Sequence, residues 1–199
     1  MTFLTFDTET TALRPGQICQ LAYIVDDGGN AFGRSLFFAV DEMSASSEAV
    51  HGFSVECLAR LSGGKRFADH IDEVERDFSR ADVLAGHNVA ADLRFLRTEF
   101  ERAGRRLPEC RSFCTMNAFT RVMMLTRAFP KGYPKPPKLT ELTQYLGITD
   151  ERVRVAARTL FGDGETAHDA RYDAAATYLC IRGGIEKGLI DSSLFKCGA

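Results

Sequence analysis

The chain has 199 residues, a formal net charge of −2 and 45% hydrophobic residues, enough for one sizeable domain, expected to span residues 1–199. No apolar run approaches the ~18 residues of a membrane span. The first residues lack the basic stretch and apolar core of a signal peptide, so a soluble cytoplasmic protein is expected. Six cysteines (Cys19, Cys57, Cys110, Cys114, Cys180, Cys197) form no CxxC pair, which argues against zinc and for reduced thiols.

Residues 2–7 (TFLTFD) predict a short buried strand, and residues 17–26 (QICQLAYIVD) a second. DGGN at 27–30 is a turn signal, and residues 31–40 return as a third strand, so the chain opens with a meander. Residues 54–61 and 67–78 predict helices across an SGGK loop. VLAG at 83–86 is a short buried strand. From Asn88 to Ala103 the apolar residues Leu93, Leu96, Phe100 and Ala103 step by three and four, which marks a helix face closed by Gly104. A helix around 117–128 follows. FPKGYPKPPK at 129–138 carries four prolines and predicts a basic loop. LTELTQYL at 139–146 predicts a short helix ended by Gly147. HDARYDAAATYLCIR at 168–182 predicts a helix stopped by Gly183 and Gly184. The fold class is α/β, a mixed sheet flanked by helices.

The first strand ends in FDTET. On a strand, side chains two apart share a face, so Asp7 and Glu9 converge if the strand continues through Thr8. Two close carboxylates repel unless a cation is bound; the alternative is a solvent-exposed strand end. Asp92 follows GHN at 86–88 and lies on the edge of a buried helix face, or else complements the helix dipole. Asp173 lies early in an alanine-rich helix that permits close approach of a neighbour. His168, five residues earlier, can share a site with Asp173 only from the loop before the helix. Residues 166–169 fit that loop, with Asp169 as N-cap.

DTET at 7–10, GHN with Asp92 at 86–92 and HDARYD at 168–173 resemble the three motifs of the DEDD 3′–5′ exonucleases. The HxxxxD spacing is that of the histidine-bearing (DEDDh) branch, similar to proofreading subunits and ribonuclease T; Asp169 stands where the tyrosine branch has Tyr. VHGFS at 50–54, CTM at 114–116 and KLTELTQYLGI at 138–148 extend the likeness. Ala12 and Ala91 depart from it, beside the motif acids rather than at them.

The resemblance implies an RNase H-like fold and a cofactor of two Mg²⁺ or Mn²⁺ ions. Asp7 would bridge them, Glu9 and Asp173 would hold the first and Asp92 the second. His168 would be the general base for the attacking water, a task suited to histidine, whose side chain changes charge near neutrality. The implied reaction releases nucleoside 5′-monophosphates from a nucleic-acid 3′ end, with single-stranded DNA favoured over RNA. Thr8, Thr10, His51, Phe53 and Asn88 are candidate substrate contacts; Phe53 as core and Asn88 as helix cap are the alternatives. The acidic cluster would mask, in the net charge, local basic runs at Arg94–Arg106, Lys131–Lys138 and Arg152–Arg158. A stand-alone enzyme is expected; a polymerase partner, a homodimer or a non-catalytic nucleic-acid binder on the same fold are the other readings.

Overall fold

The computed structural model describes residues 2–13, 16–127, 132–163 and 168–195; Lys131, Thr166 and Cys197 lie outside them. One five-stranded sheet has the order β3-β2-β1-β4-β5. Its strands are β1 (Phe3–Thr10), β2 (Ile18–Asp26), β3 (Ala31–Phe37), β4 (Val83–Gly86) and β5 (Arg111–Cys114). The opening meander is antiparallel, and β4 and β5 join parallel to β1. The DGGN turn closes as read: Asp27 accepts from the backbone of Gly29 and Asn30, and Gly28 takes a φ of 89° that a residue without Cβ adopts freely.

Strand alternation splits the core in two. Leu4, Phe6, Leu21, Tyr23, Val25 and Leu84 pack against α3 (Ile71–Phe78) and α4 (Val89–Arg102). Phe3, Ala22, Ile24, Val83 and Ala85 pack on the other face, against α5 (Thr115–Met123), α6 (Leu139–Leu146), α7 (Asp150–Phe161) and α8 (Ala170–Glu186). Asp7 and Glu9 belong to this second face. They lie opposite Ala22 and Gln20, and the pairing slips in register immediately after Glu9. Such an irregularity next to a site re-aims side chains and ends the ladder. Ala170, Ala174, Ala175 and Ala176 are fully buried, and their small side chains let α8 lie close over β1 and β2.

Two short helices, α1 (Ala45–His51) and α2 (Val55–Leu61), follow β3, and Leu58 of α2 packs with Cys19 and Val40 in a separate small core. Ser44 and Ser54 cap them by accepting from Ser47 and Cys57 N–H.

Four expectations need correction. The helix of 168–182 does not stop at Gly183 and Gly184: α8 runs to Glu186, and Gly188 (φ 68°) makes the left-handed exit. Gly184 is small because Ile190 and Phe119 occupy the space of a side chain there. The helix expected at 117–128 ends at Met123, where Met124 turns left-handed. Residues 67–70 form a 3₁₀ turn leading into α3 rather than one helix. The third strand ends at Phe37, short of residue 40. Beyond these, α1, α7 and β5 are elements the sequence patterns did not reveal.

Candidate active site

β1 runs through Thr10, so Asp7 and Glu9 project to one side at its carboxyl end. α8 crosses that side and brings Asp173, one turn in from its N-terminus. Carboxylate oxygens of Asp7, Glu9 and Asp173 lie within 4.8 Å of one another. Asp92 arrives from the opposite side, on the first turn of α4. Thr8, between Asp7 and Glu9, points the other way and donates its hydroxyl to Asp92 Oδ1 at 2.7 Å. A hydrogen bond from the Thr8 backbone reaches the same carboxylate. One extended tripeptide thus bonds the Asp92 carboxylate on one face of the sheet and faces the Asp173 carboxylate on the other.

The cluster is electrostatically unfavourable as it stands. Burial, then the charges of Asp92, Asp173, Glu9 and Asp169, push the Asp7 carboxyl well above the usual carboxylate range. Burial, with Asp173, Asp169 and Asp92, raises Glu9 to about 9. Burial raises Asp92 to about 7 against the Thr8 hydrogen bonds, and Asp173 to about 6 against the nearby His168. The groups acting on Asp7 and Glu9 are burial and negative charges. An all-oxygen, anionic, partly buried donor set is what hard divalent cations take, so the residues present fit such ions.

His168 is exposed, on the segment before α8, with a φ of 62° that a residue with a Cβ seldom adopts. Its backbone N–H meets the Asp173 carboxylate and its ring lies near enough to lower that group's pKa. Asp169 is the N-cap of α8, as its position before the helix suggested.

The substrate candidates occupy different settings. His51 and Phe53 stack with ring centroids 5.2 Å apart. Phe53 also meets Phe37 edge-on at 5.4 Å and is half-buried against the small core of Cys19, Val40 and Leu58. The Phe53 N–H donates to His51 Nδ1 at 3.1 Å, which leaves the neutral ring's proton on Nε2. A hydrogen bond to the Thr10 backbone engages His51 as well, and burial keeps its pKa low. Thr10 is half-buried at the end of β1. Asn88 stands at the N-cap of α4 but makes no capping hydrogen bond with its side chain, and its backbone is left-handed (φ 67°). Its exposed amide is therefore not committed to the helix end.

Three further groups were given no role from the sequence, although His87 and Arg171 lie within the GHN and HDARYD stretches. His87 bridges Thr115 Oγ1 and the Pro137 carbonyl, each at 3.0 Å, and so ties the end of β4 to the segment before α6. Gln20 and Arg171 both hold Asp169. The strand alternation that put Asp7 and Glu9 on one face also puts Gln20 there, which was the available signal. Many of the basic residues are ion-paired: Arg102 with Glu99, Arg105 with Asp72 and Glu75, Lys135 with Glu141, Arg154 with Asp150.

A sheet of this order, with carboxylates gathered at the carboxyl end of its central strand, defines an RNase H-like fold of the exonuclease type. The exonuclease (RNase T) family's sequence profile matches residues 4–180, and the chain belongs to that family. It is 31% identical over 160 residues to a DNA polymerase III subunit epsilon-like protein of Rhodobacter capsulatus, a match covering 75% of this chain and 20% of that protein. Among solved structures it resembles E. coli exonuclease I in complex with a 5cy-dT13 oligonucleotide, with a TM-score of 0.71 and 18% identity over 98% of this chain and 41% of that one. Exonuclease I from Methylocaldum szegediense gives a TM-score of 0.69 and 21% identity, over 98% and 42%. The chain thus spans about a fifth of the curated relative and about two-fifths of the solved ones. Among the described residues no helix is long and apolar enough to cross a membrane.

Proposed function

We propose that this chain is a divalent-metal-dependent 3′–5′ exonuclease acting on single-stranded DNA and releasing nucleoside 5′-monophosphates. The observation that carries this reading is the convergence of Asp7, Glu9 and Asp173 oxygens within 4.8 Å, from opposite ends of the chain, with Asp92 anchored beside them by Thr8. Asp7, Glu9 and Asp173 would hold one Mg²⁺ or Mn²⁺ ion and Asp7 with Asp92 a second. When bound, the ions supply positive charge to the entering and leaving oxygens of an in-line displacement at phosphorus.

The remaining work falls to the chain itself. His168, exposed beside the cluster, takes the proton of the attacking water as its oxygen bonds to phosphorus. The P–O3′ bond breaks, and the terminal nucleotide leaves with the phosphate on its 5′ oxygen. The His51–Phe53 stack offers an aromatic face to the last base, the usual way a single strand is held without reading sequence. The Asn88 amide and the Thr10 backbone flank the same strand end. An oligonucleotide-bound exonuclease I with this fold and a polymerase-epsilon-like relative both support a DNA substrate. The relative's name is also the one pointer to a polymerase partner.

The test is a ladder. The purified chain is incubated with 5′-labelled single-stranded DNA and, separately, RNA of the same sequence, with Mg²⁺ or Mn²⁺, beside Asp7→Ala. Stepwise shortening of the DNA from its 3′ end is expected, abolished by EDTA and by the substitution. Shortening of RNA alone would make the chain an exoribonuclease. Binding without shortening would make it a nucleic-acid-binding module. Equal activity in Asp7→Ala would remove the site assignment.

A further inference from the structure

One guanidinium organises the ground on which His168 stands. Arg171 grips Asp169 with two nitrogens, Nε to Oδ1 at 2.9 Å and Nη2 to Oδ2 at 2.6 Å. Its third nitrogen, Nη1, donates to Asp163 Oδ2 at 3.1 Å. Asp163 lies just past the end of α7, and Asp169 begins α8. Arg171 therefore joins both feet of the connection that presents His168. Its plane lies over the Phe37 ring, 5.4 Å from the centroid, which fixes the guanidinium against β3. Gln20 completes the arrangement from β2: Nε2 donates to Asp169 Oδ1 at 3.0 Å, and Oε1 accepts from the Ala170 N–H at 3.0 Å. Asp169 and Gln20 are buried, and the Arg171 side chain is only 14% exposed.

This is more than a helix cap requires. One hydroxyl or carboxylate oxygen satisfies a helix start, whereas here two side chains from separate elements hold the cap residue itself. What the extra bonds hold is the neighbour, His168, in a left-handed conformation that needs surrounding structure to persist.

We propose that Arg171, seconded by Gln20, is a positioning residue for His168, a latch that sets the imidazole where it accepts the water's proton. The inference rests on the exonuclease reading but concerns residues outside the carboxylate cluster. Arg171→Gln keeps a polar side chain while losing the charged fork. It is expected to lower kcat by about 10- to 100-fold at saturating metal and substrate, the scale of an ångström-sized misplacement, with KM within about twofold. Arg171→Lys is not expected to restore the rate, because an ammonium cannot span both carboxylates.

A latch acts only through what it holds. In a His168→Ala background, Arg171→Gln should cost less than about twofold, the non-additivity expected of groups acting as a unit. Full multiplication of the two losses would overturn the proposal. Independently of turnover, the His168 imidazole ¹H–¹³C resonance, assigned by its loss in His168→Ala, should shift in the metal-free Arg171→Gln protein; an unmoved signal would also overturn it. Asp163→Asn, at the exposed foot, serves if Arg171→Gln does not fold: a few-fold fall in kcat is expected, and an unchanged kcat counts against the latch. If the native chain degrades no nucleic acid, the exonuclease reading fails, while the resonance still decides whether Arg171 holds His168.

Discussion

At the scale of the residue, the carboxylates are held together against their own repulsion. Glu9 is raised to about 9 and Asp173 to about 6, each chiefly by burial. A raised folded-state pKa means that the native protein keeps protons the unfolded chain has released. The stabilising contribution of these groups is thus complete below the ordinary carboxyl pKa and is lost as pH rises through the folded values. For Glu9 the window runs from 4.5 to about 9. The metal-free protein is therefore expected to melt progressively lower across pH 5 to 9, and the gain from added Mg²⁺ or Mn²⁺ to grow across the same range. Thermal melts in EDTA and in excess divalent ion at three pH values check this; a divalent gain independent of pH would contradict it. Asp7→Asn, which removes one of the repelling charges, should raise the metal-free melting temperature by about 3 °C, roughly 1 kcal/mol for a domain of this size, and remove the divalent gain.

At the scale of the element, α8 shows what short-range patterns conceal. Two consecutive glycines after an apolar run read as a helix stop, because glycine is the common residue of the left-handed exit. Here neither Gly183 nor Gly184 has positive φ, and the exit waits for Gly188. A Cβ at Gly184 would come within 2.6 Å of Ile190 Cδ1 and 3.1 Å of the Phe119 ring, whereas one at Gly183 would meet Ile148 Cδ1 at an ordinary 3.8 Å. Gly184→Ala should therefore destabilise by about 1–3 kcal/mol through overpacking. Gly183→Ala should stabilise by about 0.5–1 kcal/mol through helix propensity. Paired denaturant titrations separate the two; equal effects of one sign would mean that packing against Ile190 is not why Gly184 lacks a side chain. The helix α7 was hidden for another reason. Its buried residues Val153 and Ala157 lie among five charged ones, so the segment reads first as a charged run, although Thr149 caps it in the ordinary way. β5 offers four residues, half of them exposed, too few for alternation to show.

At the scale of the whole molecule, the meander, β4 and α4 were legible because each carries its own periodicity. The candidate site was legible in the identity of its acids, since the three motifs stand in order along the chain. What local pattern could not show is how they meet. β1 must lie between β2 and β4, with α4 on one face and α8 on the other, before Asp92 and Asp173 can approach the same strand end. The side-chain ties that refine the site, from Thr8 to Asp92, from His87 to Pro137 and from Arg171 to Asp163 and Asp169, join residues whose types are common on any surface. Nothing in their spacing distinguishes them until the topology is known.

The pairing of Asp7 with Asp173 also bears on the order in which the protein assembles. The meander closes through near neighbours in sequence, whereas α8 comes from the other end of the chain and forms the most distant contacts, which are the slowest to be rewarded. The share of the repulsion that Asp173 and Asp169 bring is then felt only as α8 docks, late in folding, and an ion that needs Asp173 to be held acts after the main barrier. Divalent ions should accordingly slow unfolding while leaving the refolding rate nearly unchanged. Stopped-flow folding and unfolding limbs, with and without Mg²⁺, would show this as a displacement of the unfolding limb alone; acceleration of refolding would instead place the docking of α8 within the folding nucleus.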